Sequence, residues 1–270
     1  MNVREEIGSY TAKGEFRNES DVVIKFNNYR NDGEAQQWLS IMGYDFSKIK
    51  QLIAVQIPPR ISREVALSLG VKEYNLDESN TFKKSDVQVR LEIIIENVYH
   101  IENISVKKAN IGAGFNQVDK RPVDKYKSFW NIPDSICKLL KYYTGELLPY
   151  KQNTRDPRRM FLDEMDDTAV KELIHFFDNN RVIIFNDVLR GRGGLSADWF
   201  LVTESNDVSH RWILKDINYV CNFYAQGPII KTKNGNLKIG KMTMQRKGGT
   251  PDPTSLQFKI NPLELFNANT

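Results

Sequence analysis

An aspartate and a lysine twenty-one positions apart, Asp86 and Lys107, are the residues of this chain best placed to do chemistry. The run from Lys84 to Ile95 alternates. Val87, Val89, Leu91, Ile93 and Ile95 fall on one side, and Asp86, Gln88, Arg90 and Glu92 on the other, the period of a half-buried strand. A second run puts Ile104 and Val106 inward, with Asn103, Ser105 and Lys107 outward. A reversal centred between Glu96 and Asn97 sets Asp86 opposite Lys107 and Gln88 opposite Ser105, with Cβ atoms about 5 Å apart. A carboxylate and an ammonium on neighbouring strands can hold a divalent metal and orient a water, the equipment of metal-assisted phosphodiester hydrolysis. On spacing alone, a solvated sheet face with an ordinary cross-strand ion pair is the commoner reading.

The elements that must carry this pair follow from pattern. Asn18 can cap a helix running to about Arg30, with Val22, Val23, Phe26 and Tyr29 as its apolar stripe. A second helix spans Glu34–Met42, ended by Gly43. Gln51–Ile57 reads as a strand, Ser62–Leu69 as a short helix, and Asp77–Lys84 as part of a polar excursion. The glycine-rich stretch Asn110–Gly114 reads as a flexible connection. Further on, Asp134–Tyr143, Thr168–Asn179 and Asp216–Tyr224 are helical patterns. Arg181–Phe185, Trp199–Thr203 and Arg211–Leu214 read as strands, and short strands alternate with glycine turns from Ile229 onward. The fold class is α/β or α+β, helices around mixed sheets.

The 270 residues carry a formal charge of +4, and 40% are hydrophobic, enough for a packed core in one large domain or two lobes. The charge is uneven. Residues 1–104 hold 13 basic and 16 acidic side chains, whereas 105–270 hold 25 and 18. Lys231–Lys259 has seven basic residues against the single acid Asp252, which points to a polyanionic partner. Cys137 and Cys221 match no zinc spacing and read as buried thiols. His100, His175 and His210 are isolated from one another, and no P-loop is present. No apolar run reaches about 18 residues, and Met1–Glu6 lacks a signal-peptide core. A soluble, cytoplasmic protein is expected.

Four more polar clusters bear on a nucleic-acid partner. Phe115, Asn116, Gln117 and Lys120 combine amides able to pair with base edges and an aromatic able to wedge between steps. Arg155 and Arg158 lie in a basic loop, where local pairing with Asp156 is the competing reading. Arg190 and Arg192 stand among Gly191, Gly193 and Gly194, where glycine allows close backbone approach and arginine can read guanine. Gln245, Arg246 and Lys247 precede Gly248-Gly249, which is also the pattern of a charged edge strand.

Taken together, these clusters resemble the small, monomeric type II restriction endonucleases of the PD-(D/E)xK nuclease superfamily, specifically the type that reads GCGC and leaves 5′ overhangs. The matching segments are Thr11-Ala12-Lys13, Glu34-Ala35-Gln36, Gly114-Phe115-Asn116-Gln117, Thr144-Gly145-Glu146-Leu147, Arg158-Arg159-Met160-Phe161, Leu189-Arg190-Gly191-Arg192-Gly193, Gln245-Arg246-Lys247-Gly248-Gly249 and Leu256-Gln257-Phe258-Lys259-Ile260. They are collinear over almost the whole chain, and the excursion at about Pro58–Lys83 is the main part without a counterpart.

The resemblance implies a restriction-endonuclease-like central mixed sheet in a catalytic region at 1–124. It implies a second, mixed-sheet DNA-recognition lobe at 125–270. It implies Mg²⁺-dependent cutting of double-stranded DNA by a monomer, with a cognate methyltransferase in the same system. In that scheme Asp86 binds the metal, joined by the main-chain carbonyl of Val106. Lys107 positions the attacking water, and Glu19 is an additional carboxylate. Ser105 stands where the superfamily usually has an acid, and a neutral hydroxyl is a weaker ligand than a carboxylate. A DNA-binding protein on a weakened nuclease scaffold and a structure-specific repair nuclease are the competing classes.

Overall fold

The alternating run at 87–93 does form a strand, with Val87, Val89 and Leu91 fully buried. In the computed structural model, residues 3–76, 83–93, 99–109, 114–205, 210–247 and 254–269 are described. Helix α1 spans Val3–Asn27 and α2 Gly33–Ile41, followed by strand β1 (Ile49–Gln56) and helix α3 (Arg63–Ser68). Strands β2 (Val87–Ile93), β3 (Tyr99–Lys108) and β4 (Asn116–Pro122) come next. Helices α4 (Val123–Trp130), α5 (Asp134–Thr144), α6 (Asp167–Asn179) and α7 (Arg181–Phe185) precede β5 (Trp199–Ser205) and β6 (His210–Asp216). Helix α8 (Ile217–Ala225) leads to β7 (Ile229–Lys231), β8 (Leu237–Ile239), β9 (Met242–Arg246) and β10 (Ser255–Ile260).

The strands make two five-stranded sheets, β1-β2-β3-β5-β6 and β4-β10-β9-β8-β7. The first is mixed: β3 and β5 run parallel, and its other pairs are antiparallel. The second is antiparallel throughout, not mixed as expected: short reversals join β7 to β8 and β8 to β9, and β4 pairs with β10 from far along the chain. Two compact units result. One comprises residues 1–114, 189–220 and 262–270, and the other 115–188 and 221–261. The boundary expected at 124/125 does not follow these units, since β5 and β6 complete the first sheet by pairing beside β3. Among the described residues, no helix is long and apolar enough to cross a membrane.

The middle of the first sheet is buried on both faces. Val87, Val89, Leu91, Ile104, Val106, Leu201 and Leu214 pack beneath Val22, Phe26, Trp38 and Leu39 of α1 and α2. The opposite face was expected to be solvated, yet Gln88, Asn103 and Ser105 are buried there. The excursion after β1 supplies part of the cover: Ile57, Ala66, Leu69 and Val71 cluster with Leu195. Gln88 Nε2 donates to the Leu69 carbonyl (3.0 Å) and to Asn103 Oδ1 (3.1 Å), and Asn103 Nδ2 to the Gly194 carbonyl (3.2 Å). Burial of these amides is tolerable because they are hydrogen-bonded.

Helix α1 starts at Val3, so Asn18 lies in its interior rather than capping it. Its Oδ1 accepts from Thr203 Oγ1 at 2.7 Å. Near the end of α1, Asn27 clasps strand β1: its Nδ2 donates to the Ala54 carbonyl (3.0 Å), and its Oδ1 accepts the Ala54 N–H (2.8 Å). Helix α2 begins as the pattern requires, with Asp32 capping the Glu34 and Ala35 amides, and Gly43 follows it in the left-handed region at φ 88°.

In the second unit, Leu256, Phe258 and Ile260 of β10 are buried, and Phe258 meets Tyr126 and Trp130 edge-on. Arg181–Phe185 is helical rather than a strand. Its apolar run carries no helical period of its own. It continues from α6 through Asn180, burying Ile184 and Phe185 and exposing Val182 and Ile183. Both cysteines are buried thiols outside any disulfide, as expected.

Gly240, between β8 and β9, has φ 54°. A Cβ there would lie 2.6 Å from the Tyr224 carbonyl oxygen and 2.8 Å from those of Ala225 and Gln226. Gly240→Ala is expected to destabilise the protein by about 2–4 kcal/mol, since both the backbone conformation and three rigid carbonyls oppose it; a denaturation midpoint within error of wild type would contradict this.

Candidate active site

Asp86 and Lys107 do meet, but through a register two residues from the expected one. Val87 pairs with Ile104 and Gln88 with Asn103, so partners sum to 191 rather than 193. The reversal itself, residues 94–98, lies outside the described residues. A two-residue shift preserves the face on which every side chain lies. Lys107 therefore reaches Asp86 along a diagonal, a span open to a long side chain.

The contacts centre on one oxygen. Asp86 Oδ2 accepts the Val106 N–H at 2.7 Å, the Lys107 ammonium at 3.1 Å and the Ser105 hydroxyl at 3.3 Å. Lys107 Nζ also donates to the Val106 carbonyl at 3.0 Å. The backbone of Asp86 is fixed on both sides, its N–H donating to Ile104 and its carbonyl accepting from Ile57 (both 2.8 Å). Lys107 and Asp86 side chains are 19% and 24% exposed, so the pair is screened from bulk water yet open to a substrate.

Glu19, on α1, accepts from Gln56 Nε2 at 2.7 Å, which sets a second carboxylate at the end of β1. Sequence reasoning missed Lys83, the next cation at this site. Burial pulls its ammonium below the ordinary lysine range, an effect the Asp86 and Glu19 carboxylates oppose and Lys107 reinforces. The only signal in sequence was its place three residues before Asp86, and it was absorbed into a polar run.

The donor chemistry bears on Mg²⁺. Among the described residues, no group of three or more His, Cys, Asp and Glu side chains stands together. Asp86 Oδ2 and the Val106 carbonyl nevertheless converge on one cationic nitrogen, that of Lys107. Two hard oxygens that already share a cation fit Mg²⁺, which takes few protein ligands and keeps several waters. Ser105 is buried against Asp86 and brings no charge.

The other expected residues fall in two groups. Asn116, Gln117 and Lys120, for which the sequence showed no strand pattern, lie on β4, paired with Ile260, Lys259 and Gln257 of β10. Only the long-range partner makes this segment a strand. Phe115, just before it, is half exposed, and residues 110–113 lie outside the described ones. On β9, Gln245 faces Gln257 and Arg246 faces Leu256; Lys247 follows, its N–H bound to Ser255, and Gly248-Gly249 lie outside the described residues. Lys120, Gln257 and Gln245 thus form one cross-strand row, and Gln257 Nε2 donates to Gln117 Oε1 at 2.6 Å. The result is a polar face of amides and ammoniums on the second sheet. Gln257 and Lys259 belong to it and were missed as site residues, because alternation in β10 shows only once its partners are known.

The arginines are more occupied than their sequence suggests. Arg155 pairs with Asp163 and Glu164 and stacks on Phe161. Arg158 is bound to Asp156 at 3.0 Å. Arg246 reaches the same carboxylate at 3.4 Å. The local-pairing reading of the 155–159 loop is thus what the geometry displays. Arg190 and Arg192 belong to the first unit, on a turn that follows a helix rather than a strand. Gly191 and Gly193 there are left-handed, at φ 77° and 72°.

Comparison with known proteins accords with this geometry. A solved structure of the restriction endonuclease MspI in complex with its cognate DNA shares the fold, with a TM-score of 0.59 and 13% identity over 89% of this chain and 87% of that one. No curated protein matches the chain at a significant level. The family described as R.HinP1I restriction endonuclease matches residues 70–266, a span that contains Asp86, Lys107 and the whole second sheet. This chain belongs to the R.HinP1I restriction endonuclease family, and is a site-specific deoxyribonuclease.

Proposed function

We propose that this restriction endonuclease makes Mg²⁺-dependent cuts in both strands of DNA at a short, GCGC-like four-base sequence. It acts as a monomer in the cytoplasm, beside a cognate DNA methyltransferase. One observation carries the reading: the Lys107 ammonium, the Asp86 carboxylate and the Val106 carbonyl meet within about one hydrogen-bond length on adjacent strands. The MspI complex supports double-stranded DNA as the partner.

Asp86 and the Val106 carbonyl would hold Mg²⁺. When bound, the ion lowers the pKa of a coordinated water and neutralises charge on the phosphate. Lys107 Nζ holds the attacking water by hydrogen bonding and offsets the negative charge that builds on the phosphoryl oxygens. The water oxygen attacks phosphorus in line with O3′, the P–O3′ bond breaks, and a 3′-hydroxyl and a 5′-phosphate remain. Glu19, held by Gln56, adds a carboxylate to the site. With one such site per chain, a monomer cuts the strands in sequence.

The polar face of the second sheet supplies base reading. Gln117, Gln245 and Gln257 offer paired donors and acceptors for base edges, and Phe115 an aromatic for a base step, whereas Asn116, paired with Ile260 and buried, stands on the other side of β4. Lys120, Lys247, Arg246, Arg155, Arg158, Arg190 and Arg192 supply positive charge for phosphates and guanines.

Digestion of a fully sequenced plasmid, with Mg²⁺ or EDTA, tests the whole reading. Discrete Mg²⁺-dependent fragments sharing one end sequence are expected. Salt-sensitive binding without cleavage would instead make this a DNA-binding protein on a nuclease scaffold.

Asp86→Ala and Lys107→Ala should each lower single-turnover cleavage by about 10²–10³-fold or more, with DNA affinity largely retained in a gel shift. Either variant cutting at the normal rate would remove its residue from the site. Ser105→Asp adds a carboxylate beside Asp86. It is expected to lower thermal stability in EDTA through like-charge repulsion, and to gain more stability on Mg²⁺ addition than wild type does. Equal Mg²⁺ shifts for both proteins would place the ion elsewhere.

A further inference from the structure

Lys83 is a half-buried lysine, and among the described residues its charge has no ion-pair partner. Its Nζ donates to the Pro58 carbonyl at 2.6 Å. Among the described residues it has no other hydrogen bond and no ion pair within 4.0 Å. An ammonium has three N–H donors, so two are left for another group. The position is built rather than accidental. The Lys84 and Ser85 amides both donate to the Leu195 carbonyl (3.2 and 3.3 Å), as does the Ser85 hydroxyl (2.8 Å). These bonds fix the chain on which Lys83 and Asp86 both stand. On the other side, Gln56 holds Glu19, Ile57 holds the Asp86 carbonyl, and Pro58 holds Lys83. Pro58, which accepts from the ammonium, directly follows Ile57, whose N–H binds the Asp86 carbonyl, and the Lys83 charge is felt alongside those of Asp86, Glu19 and Lys107.

Serine at position 105 leaves β3 without a carboxylate near the centre. Lys83 has no strand-borne acid of that kind to pair with, and a desolvated cation costs free energy unless an anion meets it. We propose that Lys83 is a second phosphate-binding lysine of the active site, donating to a phosphate oxygen of the strand being cut while Lys107 attends Asp86. This inference rests on the nuclease reading of the Asp86–Lys107 site.

The test uses the full chain and a duplex carrying the site mapped by plasmid digestion. Lys83→Gln keeps an N–H donor for Pro58 but removes the charge; Lys83→Arg keeps both. In EDTA, the plot of log affinity against log salt should lose about one unit of slope in Lys83→Gln, as expected for one phosphate contact removed. Single-turnover cleavage with Mg²⁺ should fall about tenfold to a hundredfold in Lys83→Gln, and Lys83→Arg should recover most of both. A lysine that only tied down Pro58 would leave the slope unchanged. A wild-type slope in Lys83→Gln, or equal loss of cleavage in both variants with slope unchanged, would overturn the proposal. Should Lys83→Gln fail to fold, a wild-type rate unaffected by a methylphosphonate at each phosphate flanking the cut in turn would overturn it instead. Absence of Mg²⁺-dependent cutting by wild type would sink the nuclease reading itself, a result separate from these.

Discussion

The site depends on a single carboxylate oxygen. Asp86 Oδ2 gathers a backbone amide, a hydroxyl and an ammonium from three consecutive residues of the neighbouring strand. Such an arrangement requires β2 to end where β3 is still running, with Asp86 just beyond the last ladder pair. Everything packed around it serves that placement. Helices α1 and α2 bury the aliphatic face of β2 and β3. The excursion after β1 closes over the other face, and the Leu195 carbonyl ties down the approach to Asp86. With side chains of period two, a slip of one residue would send Asp86 or Lys107 to the opposite face. Burial on both faces forbids that slip.

The same parity explains what could be read from the sequence. The alternation of Val87, Val89 and Leu91 against Ile104 and Val106 fixes which residues share a face. Hence Asp86 and Lys107 were legible as neighbours even with the register misplaced by two residues. Absolute register was not legible, because it depends on the reversal and on the cover of Gln88 and Asn103, which come from distant segments. Lys83 stayed hidden for a related reason. What sets it apart is its bond to the Pro58 carbonyl and the meeting of three chain segments, neither of which leaves a periodic trace. In the second unit, β4 showed no strand pattern and α7 looked like a strand. Each takes its form from a partner far off or a preceding helix, and local propensity yields to that context.

The second sheet shows how one strand can serve two masters. Alternate residues of β10 divide between Leu256, Phe258 and Ile260, which build the aromatic core with Tyr126 and Trp130, and Gln257 and Lys259, which join the amide row. The apolar core and the amide row are thereby placed on opposite sides of the same backbone. Substitutions on the polar side leave that core in place, whereas those on the apolar side are felt as lost packing.

The clasp of Asn27 on Ala54 carries a consequence for how the molecule behaves in company. Strand β1 is an outer strand of its sheet, and an outer strand offers unpaired amides and carbonyls to any other chain that passes. At Ala54 both groups are taken by one side-chain amide, which imitates the pairing a further strand would provide. Farther along, the Ile49 carbonyl is taken by Tyr29 and Arg30. Helix α1 and the two residues soon after it, Tyr29 and Arg30, therefore occupy part of the sheet's border, where edge-to-edge strand addition would otherwise find a template.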